Sequence, residues 1–196
     1  MKNLHKPLLL AGLATASVAA HAHTGHGTSS LMEGLIHPFG ADHLLAMLAV
    51  GLWSTVALPA RQTWQGPAAF LVALAGSALL GALGLTLPYL EHAIALSVVL
   101  FGAMLCLSRY NAPAAWGLGL VAAAASLHGL AHGAEAPPTG FGGYALGFML
   151  TTASLHISGV CLGLAIRRCL QQRRGLALAS VGTLLGGAGV YLFTQV

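Results

Sequence analysis

Apolar segments about as long as a membrane-crossing helix follow one another along this chain, separated by short polar breaks. We place six of them, near residues 30–57, 67–87, 91–108, 113–133, 140–166 and 174–195. Each is close to the ~20 residues that a helix needs to cross the hydrocarbon core of a bilayer. A backbone inside lipid must satisfy its own hydrogen bonds, so the segments should be helical. The sequence therefore predicts an all-α, polytopic membrane helix bundle with six transmembrane helices.

The composition excludes most soluble functions. Charged residues make up only 6% of the 196 residues, whereas a soluble domain carries about 25%. Such a chain cannot cover a water-facing surface with charge, which argues against a soluble enzyme. The formal net charge of +4 does not indicate nucleic acid, because four of the eight basic residues lie between Arg167 and Arg174. The expected partner is the lipid bilayer.

Residues 1–22 have the three parts of a secretory signal peptide. A basic start with two lysines precedes an apolar stretch at 8–20, and Ala-His-Ala at 20–22 fits a cleavage site. Because the apolar stretch is shorter than a membrane span, an uncleaved anchor is the less favoured alternative. Cleavage would leave residues 23–196 as the transmembrane domain, with the mature N-terminus outside.

The basic residues of the mature chain predict the same orientation. If the mature N-terminus is outside, the breaks after the first, third and fifth segments face the cytoplasm. Those breaks hold every Lys and Arg of residues 23–196, namely Arg61, Arg109, Arg167, Arg168, Arg173 and Arg174. The positive-inside rule thus predicts a multi-pass protein of the bacterial inner (cytoplasmic) membrane with a periplasmic mature N-terminus.

Ionisable side chains within the predicted spans are the most informative residues, since an Asp at a helix centre costs roughly 2.5–3.5 kcal/mol. They gather toward the predicted outer half of the bundle, at Glu33, His37, Asp42, His43, Glu91, His92, His128, His132 and Glu135, with His156 near the middle of its span. Packing of isolated core histidines would not segregate them in this way. The distribution predicts a polar cavity that opens to the outside.

The spacing of these residues favours a metal site. His128 and His132 stand at i and i+4, on one helical face, and Glu135 lies near that face at i+7. Glu33 and His37 have the same i, i+4 relation. Two imidazoles with a nearby carboxylate are a common ligand set for divalent transition metals.

The first segment contains a predicted break. His37 and the Asp42-His43 pair would diverge around a regular helix, but Pro38 and Gly40 lie between them. Proline removes an intrahelical hydrogen bond and glycine loosens the turn. Broken helices recur at the midplane sites of transporters, where they expose helix ends to the substrate.

Imidazole and carboxylate ligands together suit Ni, Co, Cu(II), Zn or Fe, and no cysteine of this chain falls in the cluster. The main candidate ligands are His37, Asp42, His43, His128, His132 and Glu135. A second group could contribute to metal binding or entry, and its members are Glu33, His92, His156, Met47, His23 and His26. Glu33 would attract the cation from outside together with Glu135. Core packing is the competing interpretation for Met47 and His156, and a flexible N-terminal tail is the competing interpretation for His23 and His26.

The run His37-Pro-Phe-Gly-Ala-Asp-His43 resembles the signature of the HupE/UreJ family of nickel and cobalt permeases, and the block at 128–135 is also similar to that family. The resemblance covers essentially the whole chain. It implies secondary transport of Ni²⁺ or Co²⁺ into the cytoplasm, for enzymes such as hydrogenase or urease. The metal is then the transported substrate, with no permanently bound cofactor. The first motif would recognise the metal, and the polar residues of the second block would be further ligands.

Three other functions stay open at this point. An intramembrane metal-dependent hydrolase could use the histidines to activate water, with Ser126 or Ser154 nearby, each two residues before a histidine. Histidine pairs on facing helices could bind haem in an electron carrier. A metal sensor or partner subunit would bind the ion without transporting it. No G-x4-G-K-[S/T] phosphate loop occurs in the chain, so any use of ATP would need another subunit. We expect a transporter and not an enzyme.

Overall fold

The computed structural model of the chain describes residues 30–110 and 112–196, and within these ranges all regular structure is helical. The described part has seven α-helices: α1 Ser30–Ile36, α2 Ala41–Ala57, α3 Gln65–Ala82, α4 Leu90–Cys106, α5 Ala114–Ala134, α6 Phe141–Cys169 and α7 Arg174–Phe193. The all-α class is confirmed for these residues. The predicted signal peptide, His23 and His26 lie outside them.

Four helical segments are long and apolar enough to cross a membrane, namely Ala60–Ala82, Ala114–Ala134, Phe141–Cys169 and Gln171–Phe193. Helices α1 and α2 make a fifth candidate if they form one broken span. Helix α4 is apolar but has only 17 residues, the lower limit for a membrane-crossing helix. The described part thus has four or five candidate spans, and the full set of six stays a prediction.

The predicted break in the first segment is present. The segments Ser30–Phe39 and Ala41–Ala57 are bent by 74°. Pro38, which has no N–H to donate, lies in a 3-10 turn at His37–Phe39. Gly40 is extended, with φ −51° and ψ 140°, and its carbonyl accepts the first hydrogen bond of α2 from Leu44 N at 2.9 Å. Because this corner lies between His37 and α2, the direction of the His37 side chain is not set by the helical repeat of α2.

Helix α3 ends at Ala82, whereas the hydropathy pattern predicted a segment that continues to residue 87. Gly84 has φ +92°, a left-handed conformation that ends a helix. Leu85 N bonds Leu80 O at 3.0 Å, and Gly84 N bonds Gly81 O at 2.9 Å. This pair of bonds is a Schellman motif, which satisfies the last carbonyls of the helix. The apolar residues around Gly84 concealed this stop signal.

Helix α6 packs closely against both α1 and α2 through glycines. A Cβ atom at Gly34 of α1 would collide with the backbone of Tyr144, and one at Gly51 of α2 would collide with the carbonyl of His156. On α6, a Cβ at Gly159 would likewise meet the α2 backbone. Small residues allow such backbone contact in membrane helices. The packing holds the corner between α1 and α2 against the middle of α6.

The exterior of the bundle is apolar. Val72, Leu146 and Leu184 are each more than half exposed, at 74%, 55% and 74%. Phe70 and Phe101, in contrast, are completely buried between the helices. Apolar side chains spread over the outer surface are typical of helices that face lipid. The structure therefore supports a multi-pass membrane protein.

Basic residues lie at the helix ends far from the corner. Arg167, near the end of α6, donates from Nη1 to the carbonyl oxygen of Thr55, near the end of α2, at 3.1 Å. His43 is in the first turn of α2, twelve residues before Thr55, or roughly 18 Å along the helix at 1.5 Å per residue. The positive charge that predicted the cytoplasmic side and the histidines that predicted the metal site therefore occupy opposite ends of α2.

Candidate metal centre

Four histidine rings meet where the corner between α1 and α2 faces the last turns of α5. The ring centroid of His43 is 4.6 Å from those of both His128 and His132. The ring of His37 is 4.7 Å from that of His132 and 6.2 Å from that of His43. We call these four residues the histidine cluster. Four predicted ligands from two distant parts of the sequence are therefore adjacent.

The histidine cluster is buried at one end and partly exposed at the other. His128 and His132 are 0% exposed, whereas the side chains of His37 and Glu135 are 26% and 52% exposed. Nε2 of His37 lies 2.9 Å from Oε2 of Glu135, which directly follows α5. This hydrogen bond lowers the pKa of Glu135 from its ordinary value, and partial burial opposes the shift. The carboxylate is thus charged at the exposed end of the cluster.

Asp42 holds the ring of His43. Its Oδ1 accepts hydrogen bonds from His43 N at 2.7 Å and from His43 Nδ1 at 2.9 Å. A neutral imidazole has one N–H and one lone pair, so this pattern assigns the proton to Nδ1 and the lone pair to Nε2. His43 Nε2 is buried and makes no hydrogen bond within the described residues. A carboxylate behind the ring is the usual second partner of a metal-binding histidine.

Ser97 of α4 holds the ring of His128 by a hydrogen bond, as Asp42 holds the ring of His43. The Ser97 hydroxyl donates to the carbonyl oxygen of Ile94 at 2.7 Å, so its oxygen is left to accept the N–H of His128 Nε2 at 2.9 Å. The lone pair of His128 is therefore on Nδ1. That atom is also buried, with no hydrogen-bond partner in the described part of the chain.

His132 has no hydrogen bond from either ring nitrogen to any described residue. Its ring lies flat on Phe148, with the centroids 4.7 Å apart and the planes 4° from parallel. Buried polar atoms nearly always have a partner, and an orphaned group often marks an absent water or ion. Several orphaned imidazole nitrogens in one cluster are what a site for an electron-pair acceptor such as a metal ion requires.

The rings do not yet surround a common point. Within residues 30–110 and 112–196, no three or more His, Cys, Asp or Glu side chains are placed so that they could hold an ion. The ring contacts give the reason: His43 meets His128 and His132 edge-on, at 88° and 69°, and His132 stacks on Phe148. Coordination of an ion would require some of the rings to turn about their side-chain torsions.

The second group of candidate residues is dispersed. His92 packs between Tyr89 and Phe193, with centroids 5.8 Å and 4.9 Å away, and does not join the histidine cluster. Glu33 is partly buried in the first turn of α1. Met47 and His156 are both fully buried, and they contact each other deeper in the bundle.

The sequence interpretation missed two residues beside the cluster. Glu91 lies in the first turn of α4 and interacts electrostatically with Glu135, Asp42 and His43. The sequence shows Glu91 as an acidic residue at the outer end of a predicted span, but the candidate ligand predicted there is the neighbouring His92. Ser97 had no signal, because its partner His128 is 31 residues away in the sequence.

The alternatives with catalytic or redox chemistry gain no geometric support. Ser126 and Ser154 donate to carbonyls of their own helices, Ala122 O at 3.0 Å and Leu150 O at 2.8 Å, rather than to a histidine. The ring of His43 is 4.6 Å from those of His128 and His132, which is too close for a haem plane to lie between either pair.

A bent membrane helix that faces a buried histidine cluster defines a helical membrane protein with a candidate metal-binding site. Comparison of the sequence with known proteins agrees with this class. The HupE / UreJ protein family matches residues 10–192. Protein HupE of Rhizobium leguminosarum bv. viciae is 40% identical over 181 residues, which cover 91% of this chain and 90% of the relative. The chain therefore belongs to the HupE/UreJ family. No solved structure matches it.

Proposed function

We propose that this chain is a secondary permease that carries Ni²⁺ or Co²⁺ across the bacterial inner membrane into the cytoplasm. The proposal rests on the buried imidazole nitrogens of His43, His128 and His132 that have no hydrogen-bond partner among the described residues. These nitrogens lie beside the break of a candidate membrane span. Membership of the HupE/UreJ family supports it. The metal would supply enzymes such as hydrogenase or urease.

The ligand chemistry favours a divalent metal of borderline softness. The histidine cluster offers imidazole nitrogens, with carboxylates at its edge, and such sites suit Ni²⁺ and Co²⁺. Cu(I) prefers thiolates, but none of the three cysteines lies in the histidine cluster. Cys106 is half-buried near the end of α4, and Cys161 and Cys169 are exposed on α6. Mg²⁺ and Ca²⁺ prefer carboxylate and carbonyl oxygens, whereas the inner part of the histidine cluster presents imidazole nitrogens.

Side-chain exposure decreases from the carboxylates to the inner histidines, and this suggests the order in which the residues would contact the metal ion. The exposed carboxylates of Glu91 and Glu135 would attract the cation first. His37, which is partly exposed and bonded to Glu135, would then release that carboxylate and bind the ion. Transfer to His43 and the two α5 histidines would replace the ion's water with imidazole. Asp42 would act by positioning His43 and by its negative charge.

The membrane potential suffices as a driving force. One elementary charge gains ~2.3 kcal/mol per 100 mV on crossing the membrane, so a divalent cation gains about twice that. Inward movement of Ni²⁺ therefore needs no nucleotide-binding site on this chain.

The test is uptake of radioactive nickel at submicromolar concentration, in cells without nickel importers of their own. We expect the unaltered chain to give uptake that cobalt competes with, and His128→Asn to abolish it. His92→Asn is the matched control, because it changes a histidine outside the cluster. Membrane levels of all three proteins are compared by immunoblot.

Absence of uptake by a well-inserted unaltered chain would refute the permease. Nickel binding by the purified protein would then separate the remaining alternatives. Tight binding without uptake would identify a sensor or partner subunit. Absence of binding would refute the proposal that the histidine cluster is a metal site.

A further inference from the structure

Another histidine, His156, is buried in the middle of α6, outside the histidine cluster. Its side chain is 1% exposed, and Nδ1 lies 2.8 Å from the carbonyl oxygen of Met47 on α2. A carbonyl oxygen only accepts hydrogen bonds, so Nδ1 carries the proton and Nε2 the lone pair. His156 Nε2 is buried and makes no hydrogen bond with any described residue. The ring is thus held from behind in the same way as His43 and His128.

A second orphaned polar atom lies on the same face of α6. Thr152 precedes His156 by four residues, which places the two side chains one turn apart on the helix. Its Oγ1 is buried and has no hydrogen-bond partner within the described ranges. The preceding Thr151, in contrast, has a partner, since its hydroxyl donates to the carbonyl oxygen of Leu35 on α1 at 2.8 Å. The neighbouring Thr152 hydroxyl remains available to a ligand.

Phe70 contacts both the histidine cluster and His156. Its ring centroid is 5.7 Å from that of His128 and 4.8 Å from that of His156. His156 bonds Met47, which is one turn further along α2 than His43, or roughly 6 Å at 1.5 Å per residue. His156 therefore lies deeper than the cluster, toward the end of α2 where Arg167 is bonded.

Packing alone does not account for this pair. The bond from Nδ1 to Met47 explains how His156 joins α6 to α2, but it leaves Nε2 and the Thr152 hydroxyl without partners among the described residues. A buried polar atom without a partner is destabilising relative to an apolar group of similar shape. We propose that His156 and Thr152 form an inner station to which the transported divalent cation moves from the histidine cluster, past Phe70. This inference rests on the proposed transport function.

The decisive variant is His156→Asn. The asparagine amide nitrogen can take the place of Nδ1 and donate to Met47, but no atom replaces Nε2. We expect radioactive nickel uptake to fall at least tenfold, while equilibrium binding of nickel to the purified full-length chain in detergent stays within twofold of the unaltered protein. Unchanged uptake would overturn the inner station. Loss of binding together with uptake, at normal protein yield, would also overturn it, because His156 would then belong to the first site.

Thr152→Val is the second variant, since valine matches the shape of threonine and removes only the orphaned hydroxyl. A purely structural Thr152 predicts equal or higher thermal stability with unchanged uptake. The inner station predicts equal or higher stability with uptake reduced about threefold or more. If His156→Asn does not fold, this variant decides the question. Nickel uptake by the unaltered chain separates the two proposals. If the unaltered chain gives no uptake, the proposed transport function is wrong. If the unaltered chain gives uptake and Thr152→Val gives the same uptake, only the inner station is wrong.

Discussion

The hydroxyl oxygen of Ser97 on α4 lies 2.9 Å from Nε2 of His128 on α5 and holds that imidazole in one tautomer. Because the same hydroxyl donates its own proton to Ile94 O, it can only accept from the ring. The lone pair of His128 is therefore kept on the opposite nitrogen, Nδ1. Helix α4 has no predicted ligand in the histidine cluster, yet its Ser97 orients a candidate ligand on α5.

Replacement of this serine should weaken metal recognition. In Ser97→Ala the His128 N–H loses its acceptor and the ring can change tautomer, so we expect the KM for nickel uptake to rise about 10–100-fold, the usual cost of losing such a partner. Ser108→Ala is the control, because the Ser108 hydroxyl bonds a carbonyl of its own turn, Leu105 O. Equal KM values for the two variants would show that the hydrogen bond to His128 has no role in recognition.

Asp42 offers a test of positioning against direct coordination. Asn in place of Asp42 keeps an oxygen that can accept the two hydrogen bonds from His43, whereas Ala removes it. If Asp42 acts mainly by holding His43, Asp42→Asn should retain nickel uptake within about tenfold of the unaltered chain, and Asp42→Ala should lose about 100-fold. Measurement of initial uptake rates at equal membrane levels decides between them. Complete loss in both variants would mean that the negative charge itself, or its bond to the metal, is required.

The sequence predicted the elements of this fold better than the arrangement of its site. Pro38 and Gly40 are strong local signals, and the helix breaks at them. Gly84 stops α3 early, but apolar neighbours hid it from a hydropathy pattern. Ser97 could not be found, since it is an ordinary serine in an apolar helix until α5 is placed beside it. The ring orientations depend on contacts such as His132 with Phe148, which no local pattern encodes.

Acid should inhibit uptake through the histidines rather than through Glu135. Protons compete with the metal for imidazole lone pairs, so the initial rate should fall as the pH is lowered from about 7.5 to about 5.5 at constant free nickel. The pKa of Glu135 is lowered from its ordinary value of 4.5, chiefly by the hydrogen bond to His37. A carboxylate with a lowered pKa keeps its stabilising charge above the ordinary value and loses it only as the pH falls through the lowered one. Glu135 is therefore ionised throughout this window.

Glu135→Gln provides the control for that assignment. The variant should lower the uptake rate at every pH, because it removes a charge that attracts the cation, yet it should keep the same relative decline with acid. Membrane potential is held constant with potassium and valinomycin during the pH series. A flat pH profile in Glu135→Gln would assign the decline to the carboxylate and would contradict a role of the histidines in acid inhibition.

Gly51 sets the distance between α2, which carries His43, and α6, which carries His156. A Cβ atom at this position would collide with the carbonyl of His156 and lie 2.9 Å from Val160 N, so neither helix can yield without moving its backbone. Overpacking of this kind costs about 1–3 kcal/mol, and we expect Gly51→Ala to lower the thermal stability of the detergent-solubilised protein. It should also reduce nickel uptake, because α6 would be displaced together with His156.

Gly76 provides the matched control in the interior of α3. Apart from the adjoining backbone of α3 itself, no described atom lies within 4 Å of a Cβ built at Gly76. Gly76→Ala should therefore leave uptake unchanged and stabilise the protein by about 0.5–1 kcal/mol through the higher helix propensity of alanine. The two glycines differ in contact and not in helical context, so opposite signs in a thermal unfolding assay test the packing directly. If Gly51→Ala were as stable and as active as Gly76→Ala, α2 and α6 could not be in backbone contact at His156. Other residues would then have to hold the two helices together.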